Sequence, residues 1–337
     1  MASIFSLEIN EQYTRLANLN YKKGSVELVS LGYDQTIPNF YSNPTDRLAA
    51  DQAKVLSNLY KQLNLEAKQA NVIIPDSKTY SQLLVMPELK EEELVNSIRL
   101  QADEFIPLPI EDVYIDLDIV AKLPDSKLLI LFVAAPKKIV DHISNTITLA
   151  GFEPYTLENE LSAIGRFVSE VYPFAKEPSL IVNFASGGSS IYFINPPFPY
   201  FQITRSTHIG LDILLRDLSV NLNLKDKQAI EAMQNIGLKP GGSINIYPII
   251  YPIISELLTE IEKTMLLAKE KYNAVIKNIY LYNLNAQVAG INEAIQNKLN
   301  IPTQSFPIGP LLVSNAVSQS FAPVLPSFIS VIAGHIR

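Results

Sequence analysis

The segment 86–120 constrains the fold more than any other part of the chain, because it combines a helix, a stop and a strand. Glutamates at 91–93 suit the positive end of a helix dipole. Apolar residues then recur at helical spacing, at Leu94, Ile98, Ala102 and Phe105. Pro107 and Pro109 cannot continue that helix and hold the chain extended. Apolar and polar residues alternate over 113–119, so the segment predicts a small α+β module that ends in a one-sided strand.

The composition limits the classes of function. The chain has 337 residues, of which 47% are hydrophobic and 18% charged, as in a globular protein with well-buried cores. Its net charge of −7 argues against a general nucleic-acid binder and against electrostatic docking on anionic lipid. The sequence has no cysteine, which excludes disulfides and cysteine catalysis, and its three histidines lack metal-ligand spacing. We therefore expect no nucleic-acid partner and no metal held by side chains alone.

The sequence also bears on where the protein works. Its first residues have neither a basic region nor a long apolar core, so they do not resemble a signal peptide. The longest strongly apolar run, at 128–135, is far shorter than the roughly 20 residues that a membrane-spanning helix needs. We expect a soluble, cytoplasmic protein.

Strands and helices alternate along the chain, and its two halves open in the same way. Residues 4–20 and 179–194 each predict a strand, a short polar loop and a returning strand. Such a duplication would suit an ATP-binding cleft between two related domains, because each loop can direct backbone N–H groups at phosphate. Two unrelated hairpins would give the same pattern, so periodicity leaves this alternative open.

Several short motifs carry a family resemblance. They are IR at 98–99, QADE at 101–104, IPLP at 106–109, VAAPK at 133–137, GFEP at 151–154, AQVAGI at 286–291 and IP at 301–302. Together with the duplicated openings, they resemble the actin-like ATPase superfamily and, within it, the PilM family of type IV pilus assembly. The related cell-division protein FtsA shares this architecture but ends in a membrane-binding helix. Here we expect the C-terminal apolar residues to pack into the core; they are Leu325, Phe328, Ile329 and Ile332.

The resemblance implies an α/β actin-like ATPase fold. This fold would consist of duplicated RNase H-like domains, with an α+β module inserted in the first. The first domain is expected at 1–158, its inserted module at about 84–152, and the second domain at 159–337.

The resemblance also places a first phosphate loop after the first strand. The family pattern is Asp-x-Gly followed by small hydroxyl residues and a lysine, and this chain has Glu8, Asn10, Glu11, Gln12 and Arg15 at those positions. Glu8 and Arg15 keep the two charges. Asn10 adds a side chain where backbone must approach phosphate. Glu11 brings a negative charge, and a like-charge contact near 4 Å costs about 4 kcal/mol at an effective dielectric of about 20.

The other nucleotide loops depart from the family pattern in the same way. In the second phosphate loop, Asn183 replaces an aspartate and Ala185 replaces a glycine. Gly187, Gly188 and Ser189 remain and could hold an anion, and Ser186 belongs to the same altered loop.

The third loop would contact adenosine. It is normally a glycine cluster, and here it reads Asn283, Leu284 and Asn285, so that Leu284 could fill the space of an adenine ring. Glu158 stands where an aspartate usually links the two domains. Three altered loops predict that nucleotide use is reduced or lost, whereas binding of ATP with Mg²⁺ stays open and no catalytic residue is assigned.

The leading functional hypothesis is a cytoplasmic scaffold of a type IV pilus or related filament machine. The resemblance implies that a groove beside the inserted module binds the N-terminal cytoplasmic peptide of PilN, an inner-membrane protein, so that membrane attachment is indirect. Arg99, Gln101, Phe105 and Pro107 are the candidate groove residues. Phe105 could instead belong to the core, and Arg99 could pair with a neighbouring carboxylate.

The alternative hypothesis is an active ATP-binding ATPase whose nucleotide state switches partner binding. Glu8, Arg15 and Glu158, with the glycines at 187–188, support it. A partner ATPase of the pilus machine, the particular pilus system and the oligomeric state are left open by the sequence.

Overall fold

The structure, a computed structural model, describes residues 4–101, 106–239 and 245–336. The chain forms two compact units. The first consists of Met1–Lys22, Val26–Phe167 and Ser330–Arg337, and the second of Lys23–Ser25 and Val168–Ile329. This division falls after Phe167, later than the domain boundary predicted at 158, and it returns the last residues to the first unit.

The elements are numbered in chain order. The strands are β1 (Ile4–Ile9), β2 (Tyr13–Lys22), β3 (Ser25–Gln35), β4 (Gln69–Ile74), β5 (Tyr80–Pro87), β6 (Val113–Leu123), β7 (Lys127–Pro136), β8 (Glu153–Asn159), β9 (Ser179–Phe184), β10 (Ser189–Ile194), β11 (Phe201–Thr207), β12 (Asn278–Asn283) and β13 (Thr303–Ser305). The helices are α1 (Asp46–Gln62), α2 (Glu91–Gln101), α3 (Lys137–Leu149), α4 (Glu160–Arg166), α5 (Leu211–Leu222), α6 (Asp226–Asn235), α7 (Tyr247–Tyr272), α8 (Ile291–Leu299), α9 (Ala316–Phe321) and α10 (Ile329–His335).

The first unit is built on a five-stranded sheet with the order β3-β2-β1-β4-β8. β1 and β2 form an antiparallel hairpin, whereas β1, β4 and β8 run parallel. The carboxyl ends of these three parallel strands therefore lie at one edge of the sheet. In open α/β sheets this is the edge at which ligands usually bind.

Helices α1 and α3 cover one face of this sheet. The ring of Phe5 on β1 contacts Tyr60 of α1 and Phe152, with ring centroids 5.5 Å and 5.3 Å apart. Ile143 of α3 belongs to the same buried core. The prediction placed α3 within the inserted module of about 84–152, but its apolar face packs with α1 and the first sheet.

The C-terminal helix α10 covers the opposite face of the first sheet. The Ser6 hydroxyl donates a hydrogen bond to the Val331 carbonyl at 2.5 Å, and Asn71 Nδ2 donates to the Gly334 carbonyl at 3.0 Å. A Cβ at Gly334 would lie 2.4 Å from the Ile73 side chain, so a glycine permits this close approach. The apolar residues that the sequence predicts to enter the core are all buried: Leu325, Phe328, Ile329 and Ile332.

A separate three-stranded antiparallel sheet has the order β5-β7-β6. Its central strand β7 contains the apolar run at 128–135, and α2 packs on one face. Ile98 of α2 shares a buried cluster with Phe132, and Leu94 shares another with Ile130. Helical spacing in α2 and alternation in β7 therefore create matching apolar faces.

The predicted helix, proline corner and strand are confirmed in order. α2 begins at Glu91, and the described part of it ends at Gln101. Pro107 and Pro109 precede a short 3₁₀ turn, and β6 begins at Val113.

The second unit contains a five-stranded sheet with the order β11-β10-β9-β12-β13. β9 and β10 form an antiparallel hairpin, and β9 also pairs with β12 in parallel. The hairpin β1–β2 with its parallel neighbour β4 has the same arrangement, so the duplicated openings predicted from the sequence are present. Most of the motif at 286–291 precedes α8, which begins at Ile291 after Gly290 with its φ of +79°.

Candidate functional site

The first hairpin contains a buried ion pair. Glu8 and Arg15 face each other across β1 and β2, and Arg15 Nη1 lies 2.6 Å from Glu8 Oε2. Their side chains are 0% and 2% exposed, so this guanidinium is occupied by its own carboxylate. Burial raises the pKa of the Glu8 carboxyl above its ordinary value, although the charge of Arg15 acts in the opposite direction.

The loop between β1 and β2 is closed by its own side chains. Asn10 Oδ1 accepts hydrogen bonds from the N–H groups of Gln12 at 2.9 Å and Tyr13 at 2.7 Å. Asn10 therefore uses the loop amides that backbone phosphate binding would need. Glu11 Oε1 accepts from the Ser77 hydroxyl at 2.7 Å and lies 2.6 Å from Lys78 Nζ, so the extra charge predicted at this loop is paired.

The second hairpin is closed mainly by backbone groups. The first two N–H groups of α5, from Leu211 and Asp212, donate to the carbonyls of Ala185 at 3.0 Å and Ser186 at 3.1 Å. The N–H of Ala185 in turn donates to the Gly188 carbonyl at 3.0 Å. The helix N-terminus is therefore filled by the loop itself. Gly187 lies in this turn and is partly exposed.

Close packing holds this arrangement in place. A Cβ at Gly210 would lie 2.2 Å from the Ser186 carbonyl oxygen, and one at Gly188 would lie 2.4 Å from the carbonyl oxygen of Thr207. Both positions therefore require glycine because backbone approaches them. The Ser186 hydroxyl is buried and has no hydrogen-bond partner among the described residues.

Asparagine amides join the ends of β9, β12 and β13. Asn283 Nδ2 donates to Asn183 Oδ1 at 3.1 Å, and Asn285 Nδ2 donates to the Ser305 hydroxyl at 3.0 Å. Leu284 is 1% exposed, and its N–H donates to the Phe184 carbonyl at 2.9 Å. Neutral amides thus take the place of the charged group that the family pattern has at Asn183.

Glu158, the residue predicted to link the domains, belongs to the first unit. Its carboxylate is held by the Arg166 guanidinium, with Arg166 Nη2 lying 3.0 Å from Glu158 Oε2 and Nη1 bonded to Oε1. Such a two-point ion pair fixes the orientation of both side chains.

A pocket of about 750 Å³ lies beside α2 in the first unit. It is lined by Asn96, Arg99, Ile110, Glu111, Val113, Tyr114, Ile115 and Lys137. We call it the β6 pocket, because three of its lining residues begin β6. Among the described residues, that strand is at an edge of the three-stranded sheet and pairs on one side only, with β7.

The β6 pocket combines an aromatic wall with charged groups. Lys137 Nζ lies 5.5 Å from the centroid of the Tyr114 ring, and the Tyr114 hydroxyl donates to Asp141 Oδ1 at 3.1 Å. That hydrogen bond raises the pKa of Tyr114 above its ordinary value. Arg99 and Lys137 outnumber the single acidic lining residue, Glu111. The pocket therefore suits a ligand with both apolar and anionic or polar groups.

The residues predicted for the peptide groove differ in their relation to this pocket. Arg99 lines it, Pro107 is exposed but is not a lining residue, and Phe105 lies outside the described residues. Gln101 ends α2, and its side chain also lies outside the described part.

Sequence reasoning missed the contributions of Asn96, Tyr114 and Lys137. Asn96 precedes Arg99 by about one helical turn, so it lies on the same face of α2 as a predicted groove residue. Lys137 ends the VAAPK motif, so its place in a family motif could have indicated it.

Metal ligands and membrane-spanning helices are two further features on which the described ranges bear. Within 4–101, 106–239 and 245–336, no group of three or more histidine or acidic side chains could hold a metal ion. In the same part of the chain, no helix has the length and apolar character needed to cross a bilayer.

Solved structures identify the fold. The ethanolamine utilization protein EutJ from Carboxydothermus hydrogenoformans superposes with a TM-score of 0.52 at 13% identity, covering 97% of this chain and 88% of EutJ. A Bacteroides thetaiotaomicron protein described as having an actin-like ATPase fold gives a TM-score of 0.50 at 11% identity, covering 95% of each chain. The chain therefore has the actin-like fold that the sequence predicts.

The family follows from the sequence itself. The family model described as type IV pilus assembly protein PilM matches residues 15–320. The chain belongs to this family, as the motifs at 98–109 and elsewhere predict. A structure described as the PilM–PilN type IV pilus biogenesis complex has a TM-score of 0.82 at 17% identity, covering 99% of this chain and 98% of the other.

Proposed function

We propose that this protein is a cytoplasmic scaffold of a type IV pilus, or related filament, assembly platform. It binds the N-terminal cytoplasmic peptide of a PilN-like inner-membrane protein and is held at the inner face of the membrane through that partner. The observation that carries the proposal is the β6 pocket, which lies beside the family motif at 98–109. Membership of the PilM family and likeness to a structure described as a PilM–PilN complex support the choice of partner.

The edge of β6 suits an extended peptide. Because β6 is an edge strand in the described part of the chain, outward N–H and carbonyl groups along it can pair with a peptide, while side chains enter the pocket. Farther along β6, Asp116 Oδ1 accepts the Leu117 N–H at 2.9 Å, which occupies that part of the edge. At the start of β6, the Val113 N–H donates to the Ile110 carbonyl. The section of the edge between these two bonds contains the lining residues Tyr114 and Ile115.

A calorimetric titration with a synthetic PilN-like N-terminal peptide tests the proposal. We expect micromolar binding, weakened at least about tenfold by Tyr114→Ala, since an aromatic anchor is often worth more than about 1.4 kcal/mol. Tyr114 is 48% exposed, so its truncation should leave the fold intact.

A matched pair of charge reversals locates the binding site. Lys137→Glu should weaken binding of the peptide, whereas Lys127→Glu, at the far end of β7 and outside the pocket, should leave the affinity unchanged. Absence of binding to the folded wild-type protein, or equal effects of the two reversals, would count against the β6 pocket.

We also propose that nucleotide use is reduced or lost. Three features support this: Arg15 is paired with Glu8, Asn10 uses the first loop's amides, and the N-terminus of α5 is filled by the carbonyls at 185–186. Millimolar ATP with Mg²⁺ should therefore leave the melting temperature unchanged. A ligand at 100 times its Kd adds about 2.7 kcal/mol, so a rise of several degrees would instead restore the hypothesis of an active ATPase.

A further inference from the structure

The carboxylate of Glu11 is held by donors from another segment. Glu11 lies in the loop after β1, and Ser77 and Lys78 lie in the turn after β4, the parallel neighbour of β1. Ser77 Oγ is 2.7 Å and Lys78 Nζ 2.6 Å from Glu11 Oε1. The contact therefore lies outside the carboxyl ends of two adjacent parallel strands, where open α/β sheets commonly bind ligands.

We propose that Glu11 occupies a binding site for a small oxyanion, such as phosphate, within the first unit. The ammonium of Lys78 and the hydroxyl of Ser77 are donors that fit phosphate oxygens as well as a carboxylate. This inference rests on the proposed loss of nucleotide use and deepens it, because the Glu11 carboxylate takes the position that a phosphate group would otherwise occupy at this loop. It does not depend on the β6 pocket.

Lys78 is positioned independently of Glu11. Its Nζ lies 5.1 Å from the centroid of the Tyr41 ring, and the Tyr41 hydroxyl donates to the Ile9 carbonyl. Burial, together with the charges of Glu11 and Glu8, raises the pKa of Tyr41 well above its ordinary value, so this hydroxyl stays a donor. Removing Glu11 should therefore leave the ammonium in place and without its carboxylate.

Only one of the two carboxylate oxygens of Glu11 is paired in the described part of the chain, so another anion could replace this carboxylate. Glu11 is 13% exposed, yet its second oxygen, Oε2, is buried and has no hydrogen-bond partner among the described residues. An unpaired buried carboxylate oxygen weakens the native contact. Ser77 is exposed, which gives an anion a path to the donors from solvent.

Thermal unfolding in phosphate, compared with chloride at equal ionic strength, tests the inference. We expect no phosphate-specific shift for the wild type and a saturable rise of about 3 °C for Glu11→Ala at ten times its Kd. The double variant with Glu11→Ala and Lys78→Met should lose this rise. Glu27→Ala, which removes an exposed acid from the same sheet, should behave as the wild type.

Each outcome bears on a separate claim. If Glu11→Ala unfolds, Glu11→Gln is the alternative variant, because it retains an acceptor for Ser77 while removing the charge. The ³¹P resonance of phosphate should then broaden on binding to this variant and not in the presence of the wild type. A folded Glu11 variant without phosphate binding overturns the inference and leaves the loss of nucleotide use standing. Stabilisation of the wild type by ATP with Mg²⁺ overturns the loss of nucleotide use instead. Stabilisation of the Glu11 variant by ATP but not by phosphate overturns the proposed oxyanion specificity.

Discussion

The hairpins β1–β2 and β9–β10 open their units alike but satisfy their polar groups by different means. The first uses charged side chains, in the pairs Glu8–Arg15 and Glu11–Lys78. The second uses backbone carbonyls and neutral amides, including the bond between Asn283 and Asn183. Loss of one charge from a buried ion pair strongly lowers the free energy of unfolding, whereas a close-packed backbone arrangement is destabilised mainly by added side-chain volume. The first hairpin should therefore be sensitive to charge and pH, and the second to side-chain size.

The largest expected effect breaks the buried ion pair of the first hairpin. Glu8→Gln leaves the Arg15 charge buried without its carboxylate and should lower the free energy of unfolding by about 3–5 kcal/mol. Urea denaturation measures this change. Replacing both residues by apolar ones, Glu8→Leu with Arg15→Met, should cost less than the single change. A cost of the double variant equal to the sum of the costs of Glu8→Leu and Arg15→Met alone would contradict a coupled pair.

A pH titration sharpens the electrostatic side of the comparison. Burial lowers the pKa of His335 from 6.5 to about 4, although its hydrogen bonds to the backbone of Leu19 and Ala17 in β2 act in the opposite direction. The unfolded chain therefore binds a proton at higher pH than the folded one. This contribution to stability is complete above about pH 6.5 and is lost towards pH 4, by about 3 kcal/mol.

Urea denaturation at several pH values isolates this contribution. His335→Gln should remove it, so that the stability difference between wild type and variant changes with pH. Asn183→Ala, in the second hairpin, should keep the wild-type slope. A pH-independent difference for the His335 variant would rule out the histidine as its source.

Added volume should break the second hairpin. Gly210→Ala places a Cβ 2.2 Å from the Ser186 carbonyl oxygen and should destabilise the protein by about 2 kcal/mol, because backbone must move. Gly309→Ala is the matched control, since a Cβ there has no neighbour within 4 Å, and it should change stability by less than about 0.5 kcal/mol. Similar melting temperatures for both variants would show that the turn yields easily.

The smallest expected effect comes from the amide pair. Asn183→Ala leaves Asn283 Nδ2 without its acceptor and should cost about 1 kcal/mol, less than the loss of Glu8. Thermal unfolding compares the two variants directly. A cost equal to that of Glu8→Gln would remove the proposed difference between the hairpins.

Most of the fold could be predicted because it depends on local patterns. Helical spacing in α2 and alternation in β6 each predict the element observed. The duplicated hairpins were predictable for the same reason. The packing of α3 with α1 could not be predicted, because the apolar face of an amphipathic helix does not determine which of two nearby sheets the helix packs on.

The sites were less predictable, because they depend on which side chains meet. The sequence identified Glu8 and Arg15 as retained charges for a nucleotide, whereas the hairpin register places them opposite each other. A short loop between two strands would have allowed that pairing to be predicted. Nothing local in the sequence brings Glu11 to Lys78, because their contact requires β1 and β4 to be neighbours.

The return of α10 to the first unit has a consequence for protein synthesis. Ser330–Arg337 belongs to that unit, yet the ribosome must first complete Val168–Ile329 of the second. At roughly 5–20 residues per second, this interval lasts on the order of 10–30 s. During that time the face of β1 and β4 that receives Val331 and Gly334 is not yet covered by α10. A ribosome stalled before Ser330 should therefore carry a first unit that proteases cleave and chaperones bind, although its own sheet is already synthesised.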